Sequence, residues 1–315
     1  MQQSSERLGL FFISVAVIFW GILPIALKLS GGFIDAITLT WFRFAVALVV
    51  SFFIQLAFGQ LHQFKQLTRQ AWLKLGLAGV VLISNYVSFV IALKYLAPGT
   101  AQLNFQTAPF FLAFGGMLFF KEKLSAFQLT CFATLALGML LFFHPYLHFS
   151  REGGSSILIG VMIIQFSAMS WASYALLQKS LLTQLSPNNV LLFIYAFGIV
   201  AMAPFSHFEH FTHMNSGDWS IAIFCAINTL VAYGCFGQAM RYWPTAQVSA
   251  MVPLTPLFSF ALTAWVSSMG WWSDIIHHNS IDALSMFGIA LIISSVMLMQ
   301  LLPLYRARRR FAATI

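Results

Sequence analysis

The sequence predicts an all-α integral membrane protein of ten transmembrane helices built as two inverted five-helix repeats. Composition, the spacing of apolar runs and an internal repeat carry that expectation. The chain has 315 residues, 60% hydrophobic and only 8% charged, where ordinary soluble domains carry roughly 25% charged residues. So few charges leave too little polar surface for a water-soluble fold. About 20 apolar residues cross a bilayer core of about 30 Å, so this length accommodates about ten crossings joined by short loops. The apolar runs are continuous, not alternating in polarity, which argues against a transmembrane β-barrel.

Taken in order, the runs place spans near 9–29, 36–58, 73–93, 100–120, 125–143, 157–179, 188–206, 219–240, 245–269 and 283–304. The run from Leu8 to Leu29 exceeds the apolar region of a signal peptide and lacks a small-residue cleavage site, so it reads as the first span. The longest connections, 59–72, 144–156, 207–218 and 270–282, are too short for a folded soluble domain. Cytoplasmic loops carry the excess Lys and Arg, and a cytoplasmic N-terminus puts twelve of the sixteen basic residues on that side. They are Arg7, Lys65, Arg69, Lys74, Lys121, Lys123, Lys179, Arg241, Arg306, Arg308, Arg309 and Arg310. Lys28, Lys94 and Arg151 fall outside, and Arg43 lies within a span. Both termini are therefore expected in the cytoplasm.

The repeat sets the domain organisation. Tyr86 to Tyr95 aligns without gaps on Tyr233 to Tyr242, pairing Tyr86 with Tyr233, Phe89 with Phe236, Ala92 with Ala239 and Lys94 with Arg241. The same shift of 147 places Pro109 and Phe111 on Pro256 and Phe258, and Trp20 and Trp171 occupy similar points in spans 1 and 6 at a slightly different shift. The halves are residues 1–150 and 151–315. Five spans per half is an odd number, so the second copy enters the membrane from the opposite side. Halves related in this way place a substrate site at their interface near mid-bilayer and can exchange conformations, which is alternating access.

Phe19-Trp20-Gly21, Trp41-Phe42-Arg43-Phe44, Ala92-Leu93-Lys94-Tyr95, Ala108-Pro109-Phe110 and the turn Lys121-Glu122-Lys123-Leu124-Ser125 together resemble the ten-helix EamA-type exporters of the drug/metabolite transporter superfamily. The likeness covers nearly the whole chain. It departs from the family at the missing second acidic turn after span 9 and at Cys131, where a glycine is common. The resemblance implies export of amino acids, metabolites or toxic compounds across a bacterial inner membrane, through a central cavity walled by both halves.

The eight acidic residues, Glu6, Asp35, Glu122, Glu152, Glu209, Asp218, Asp274 and Asp282, all fall in loops or at span edges. Intramembrane carboxylates are the usual proton relays, so facilitated diffusion or exchange is favoured over obligatory proton antiport. No hydrolytic triad or paired carboxylate can be assembled in the bilayer, and no HExxH, P-loop or supported GxGxxG occurs, so neither an enzyme nor a cofactor is expected.

Arg43 offers a planar fork of donors to an anionic substrate group, or is satisfied structurally. Gln102, Asn104 and Gln106 in span 4 must face protein or water. Gln102, Gln106 and Pro109 share a helical face and match Ser249, Pro253 and Pro256 of span 9, so spans 4 and 9 read as paired cavity walls. Trp20, Tyr86, Trp171, Tyr174 and Tyr233 supply an aromatic lining suited to an amphipathic ligand.

His207, Glu209, His210 and His213 invite a metal reading, but their spacing is loose and no outer shell is legible, so no metal is expected. Cys131, Cys225 and Cys235 lie in apolar stretches and form no disulfide framework. The scattered basic residues suit orientation in a membrane and no nucleic-acid partner. The expected partners are a small organic solute and membrane lipids, and the sequence sets no oligomeric state. The competing readings are a flippase for an amphipathic lipid or carrier, and a membrane enzyme or structural protein.

Overall fold

The computed structural model describes residues 2–92, 95, 101, 104–142, 144, 154–272 and 282–312, and they form an all-helical bundle. Besides the single helical turn His210–His213, the α-helices are α1 (Gln2–Ser30), α2 (Ala36–Ala57), α3 (Arg69–Ala92), α4 (Ala108–Phe120), α5 (Ala126–Phe142), α6 (Gly154–Leu181), α7 (Pro187–Met202), α8 (Ser216–Tyr242), α9 (Thr245–Met251), α10 (Thr255–Ser268) and α11 (Ala283–Ala312). Among the described residues, seven stretches are long and apolar enough to cross a membrane: Glu6–Leu27, Ala36–Ala57, Arg69–Phe89, Ile157–Leu181, Pro187–Phe205, Ser216–Tyr242 and Thr245–Ser268. Ala108–Phe120, Ala126–Phe142 and Ala283–Met299 are shorter apolar helices. Phe53, Leu118 and Val200 point out of the bundle, 61%, 75% and 76% exposed, as side chains solvated by lipid tails do.

The helix starts follow capping chemistry. Asp35 Oδ1 accepts from the amides of Ile37 and Thr38 at 2.9 and 3.0 Å and opens α2. Ser186 caps α7 ahead of Pro187, and Asn215 with Asp218 closes a capping box on α8. Each cap satisfies amides that have no partner within the helix.

Spans 4 and 9, expected at 100–120 and 245–269, are interrupted helices. The backbone turns at Gln106 and Thr107 before α4, and a 3-10 segment, Val252–Leu254, separates α9 from α10. Prolines explain both breaks: Pro109 and its repeat match Pro256, and Pro253, which stands where the first half has Gln106. Pro109, Pro253 and Pro256 each lack an amide donor and clash with the preceding turn. Thr107 Oγ1 lies 2.9 Å from Asn104 O beside this turn.

The packing maps onto itself when each half is exchanged for the other. α1 lies on α8 as α6 lies on α3; α1 lies on α10 as α6 lies on α4; α2 lies on α8 as α7 lies on α3. The pairs α2 with α7 and α5 with α11 are self-equivalent under the same exchange. The α5–α11 crossing brings backbones together: a Cβ at Gly138 would stand 2.9 Å from Gly288 O, and one at Gly288 would stand 2.5 Å from Phe142 N. Backbone cannot retreat as a flexible side chain can. Gly288→Val should therefore destabilise by about 1–3 kcal/mol, read as a lower melting temperature. Gly76→Val, whose Cβ meets nothing within 4 Å, is the control.

Polar contacts sort the loops onto two faces. On the first, Gln55 Nε2 donates to Asn189 Oδ1 at 2.8 Å and Ser186 N to Gln63 Oε1 at 2.7 Å. There too Trp243 Nε1 donates to Glu6 O at 3.2 Å, and Lys179 Nζ to Glu122 Oε1 at 2.7 Å. On the second, Asp35 approaches His207 and His210, and His144 Nε2 lies 3.0 Å from Asp282 Oδ2.

Candidate functional site

The centre of the bundle is aromatic, and its rings arrive in repeat-related pairs. Trp20 of α1 meets Trp171 of α6 edge-to-face at 5.9 Å, and Tyr86 of α3 stacks with Tyr233 of α8 at 6.1 Å. A shift of 151 relates Trp20 to Trp171 and the cap Asp35 to the cap Ser186. The same shift relates Phe44 to Tyr195, which form a third pair at 5.2 Å between α2 and α7. Equivalent residues touch one another only near the axis that relates them, so these pairs mark the middle of the molecule. Phe236 lies 5.3 Å from Trp20 and 5.2 Å from Trp171, and Tyr174 lies 6.1 Å from Tyr233.

Arg43 is the one cation among the described residues of this centre. It is 2% exposed. Its Nε donates to Thr229 Oγ1 at 2.7 Å, and its guanidinium carbon sits 5.4 Å from the centroid of Tyr86. Thr229 in turn donates to Cys225 O at 3.0 Å. The second terminal nitrogen of Arg43, NH2, is buried with no hydrogen-bond partner among the described residues, as are Gln106 Oε1 and Tyr195 OH. An orphaned guanidinium nitrogen is costly, and a ligand carboxylate that accepted from it would remove that cost.

Of the other residues read from the sequence, Gln106 is 6% exposed at the turn before α4. Asn104 O accepts from Gln165 Nε2 at 3.0 Å, and the Thr107 hydroxyl donates to Gln165 Oε1 at 2.8 Å. Gln165 of α6 thus pins the broken start of α4. Ser249 of α9 is fully buried and spends its hydroxyl on Ala246 O at 3.0 Å. Gln102 lies outside the described residues. Thr229, Phe44, Tyr195, Phe236 and Gln165 were not singled out from the sequence. Phe236 had a signal in its match to Phe89, and Phe44 and Tyr195 had one in the 151-residue shift. Thr229 had only its place one helical turn before Tyr233.

Two asparagines hold the related interfaces. Asn85 Nδ2 donates to Ser167 Oγ at 2.9 Å between α3 and α6, and Asn228 Nδ2 donates to Phe19 O at 2.6 Å between α8 and α1. A cavity of about 330 Å³ opens beside α2, α7 and α8, lined by Ser51, Gln55, Asn188, Gly234 and Gln238 among others. It uses a different face of α8 from Thr229, Tyr233 and Phe236, and so stands apart from the aromatic centre.

A second polar cluster joins the halves at the first face. Lys121 takes a left-handed φ of 54° and turns Glu122 back toward the bundle. Glu122 then accepts from Lys179 Nζ at 2.7 Å, from Thr245 N at 3.0 Å and from the Thr245 hydroxyl. Lys179 also donates to Trp243 O at 3.2 Å. Burial pushes the Glu122 carboxyl up, but the hydrogen bonds from Lys179 and Thr245 outweigh it and hold it below the ordinary carboxylate value. Gly116 makes room, because a Cβ there would collide with the Thr245 side chain.

Fold and centre define a multi-pass membrane transporter built from a duplicated helical unit. The model of the EamA-like transporter family matches residues 7–144 and again 158–301, and the chain belongs to that family. An uncharacterized transporter of Haemophilus influenzae is 32% identical over 254 residues, covering 80% of this chain and 82% of that protein. The uncharacterized inner membrane transporter YhbE of Escherichia coli K12 is 28% identical over 291 residues, covering 92% of this chain and 90% of its own length. One crystal structure shares the fold with a TM-score of 0.73 at 17% identity, covering 96% of this chain and 99% of that one.

Proposed function

We propose that this protein exports a small organic solute bearing an anionic group, an amino acid or related metabolite, across the bacterial inner membrane. Its halves, 1–150 and 151–315, act as inverted repeats of five crossings each, and both termini lie in the cytoplasm. The observation that carries this reading is the coincidence of three repeat-related aromatic pairs with the buried, partly unsatisfied guanidinium of Arg43. Arg43 takes the anionic group, Trp20, Tyr86, Trp171, Tyr174 and Tyr233 pack the apolar body, and Gln102, Asn104, Gln106 and Ser249 line the walls from spans 4 and 9. Rocking of one half against the other opens the centre to each side in turn.

Every acidic side chain among the described residues sits at a helix end or in a connection, so transport proceeds without a carboxylate proton relay. In proteoliposomes, counterflow of an amino acid or organic acid identified by thermal-shift screening should persist after an uncoupler collapses the proton gradient. Loss of all counterflow under those conditions would refute the uncoupled mechanism. For topology, an impermeant thiol reagent applied to intact cells should label His213→Cys and spare His62→Cys in a cysteine-free background. The reverse labelling would overturn the assigned orientation.

A further inference from the structure

The second face carries a cluster that the sequence separates by more than half the chain. Asp35 caps α2 in the connection from α1, whereas His207 and His210 lie in the connection from α7 to α8. One ligand atom from each of the three lies within 4.8 Å of the other two. His207 Nδ1 stands 3.6 Å and His210 Nε2 3.5 Å from the same oxygen, Asp35 Oδ2. Metal–nitrogen and metal–oxygen bonds of about 2.0–2.2 Å in a tetrahedral site separate ligand atoms by roughly 3.3–3.5 Å. The two histidine–aspartate separations are within a few tenths of an ångström of that spacing.

The groups that orient these ligands are also in place. Asp35 Oδ1 accepts from Ile37 N and Thr38 N, and the Thr38 hydroxyl donates to Oδ2, so the carboxylate is fixed in rotation. Thr38 Oγ1 also accepts from His207 N at 2.8 Å, which ties the histidine connection to the start of α2. Beneath the cluster, Trp41 meets Phe208 at 4.8 Å and Phe42 meets Phe211 at 5.7 Å, a floor of rings. The ligands remain open to solvent from above: His207 is 63% exposed, His210 37% and Asp35 34%. Such a set offers three protein ligands and leaves a fourth position for water.

We infer that Asp35, His207 and His210 form a binding site for a divalent transition-metal ion of the Zn2+ class, stapling the two halves of the protein together at this face. Two imidazoles and one carboxylate select such an ion over Mg2+ or Ca2+, which take oxygen ligands. Glu209 and His213, although close in sequence, are not part of the three-residue group. The assignment stands on geometry and is independent of what the protein transports.

The test uses the full-length protein in detergent, treated with chelator and freed of any histidine tag. Zn2+ should bind with a stoichiometry of one and raise the melting temperature, and Co2+ should give visible d–d absorption that Zn2+ displaces. His207→Ala and His210→Ala should each weaken Zn2+ binding by at least about tenfold, the scale on which perturbed metal sites lose affinity. Both side chains are partly exposed, so these variants keep the fold. Asp35→Asn should do the same, because asparagine preserves the helix cap while supplying a poorer ligand. His213→Ala and Glu209→Gln should leave affinity unchanged. Absence of stoichiometric Zn2+ binding, or binding of wild-type strength in the His207→Ala/His210→Ala double variant, would overturn the site.

Discussion

Arg43→Gln should weaken binding of the anionic substrate by roughly ten- to a hundredfold, equivalent to about 1.5–3 kcal/mol for a hydrogen bond to a charged group. Arg43→Lys should fall between wild type and Arg43→Gln, since it keeps the charge but loses the planar fork that reaches Thr229 and a ligand together. Affinity and melting temperature, measured on the same purified variants, separate recognition from scaffolding. An arginine that only bridges α2 to α8 through Thr229 would lower the melting temperature on substitution and leave the substrate constant intact. Unchanged affinity in stable Arg43→Gln protein would remove this residue from the site. Gln106→Ala should cost less, because a wet wall replaces a lost neutral hydrogen bond with water.

Glu122→Ala should have the largest effect on stability. The carboxylate and Lys179 are each 17% exposed, and removal of one partner leaves the other ion largely buried without its counter-charge. Breaking such pairs costs about 3–5 kcal/mol when they are fully buried, and roughly 3 kcal/mol is expected here. The pH dependence has a definite sign. The Glu122 carboxyl titrates below its ordinary value in the folded protein, so its stabilisation is fully present above the unfolded pKa of about 4.3. That stabilisation is lost as pH falls through the folded value. Thermal denaturation from pH 7 to pH 3 should show wild type losing more stability than Glu122→Gln below about pH 4.5. Parallel curves would show that the Glu122 charge contributes nothing. Asp35 and Asp282, also held low by local hydrogen bonds, titrate in both proteins and cancel in the comparison.

The limits of the sequence lie at particular residues. The repeat of Tyr86 on Tyr233 and of Trp20 on Trp171 was legible, because duplicated segments keep their ring positions. That these equivalent rings touch was not, since contact between them depends on where the axis runs through the bundle. Pro109 of span 4 and Pro256 of span 9 were legible as a matched pair. Their replacement of one helix by a turn at Gln106 and Thr107, and of another by a 3-10 segment, depends on whether neighbouring donors and acceptors take up the freed groups. The histidines at 207 and 210 were visible, but a reading confined to their own loop could not supply Asp35 from the other half.

By itself the sequence determined a helical membrane protein with a duplicated plan. Apolar run length and charge bias act over a few to about 20 neighbouring positions, and bilayer thickness converts them directly into helices. Only the tertiary structure decided which polar groups meet. Arg43 with Thr229, Glu122 with Lys179 and Thr245, and Asp35 with His207 and His210 all join residues far apart in the chain. Lipid tails offer no polar partner, so such groups must find one inside the bundle, and the partner is set by how the two halves pack.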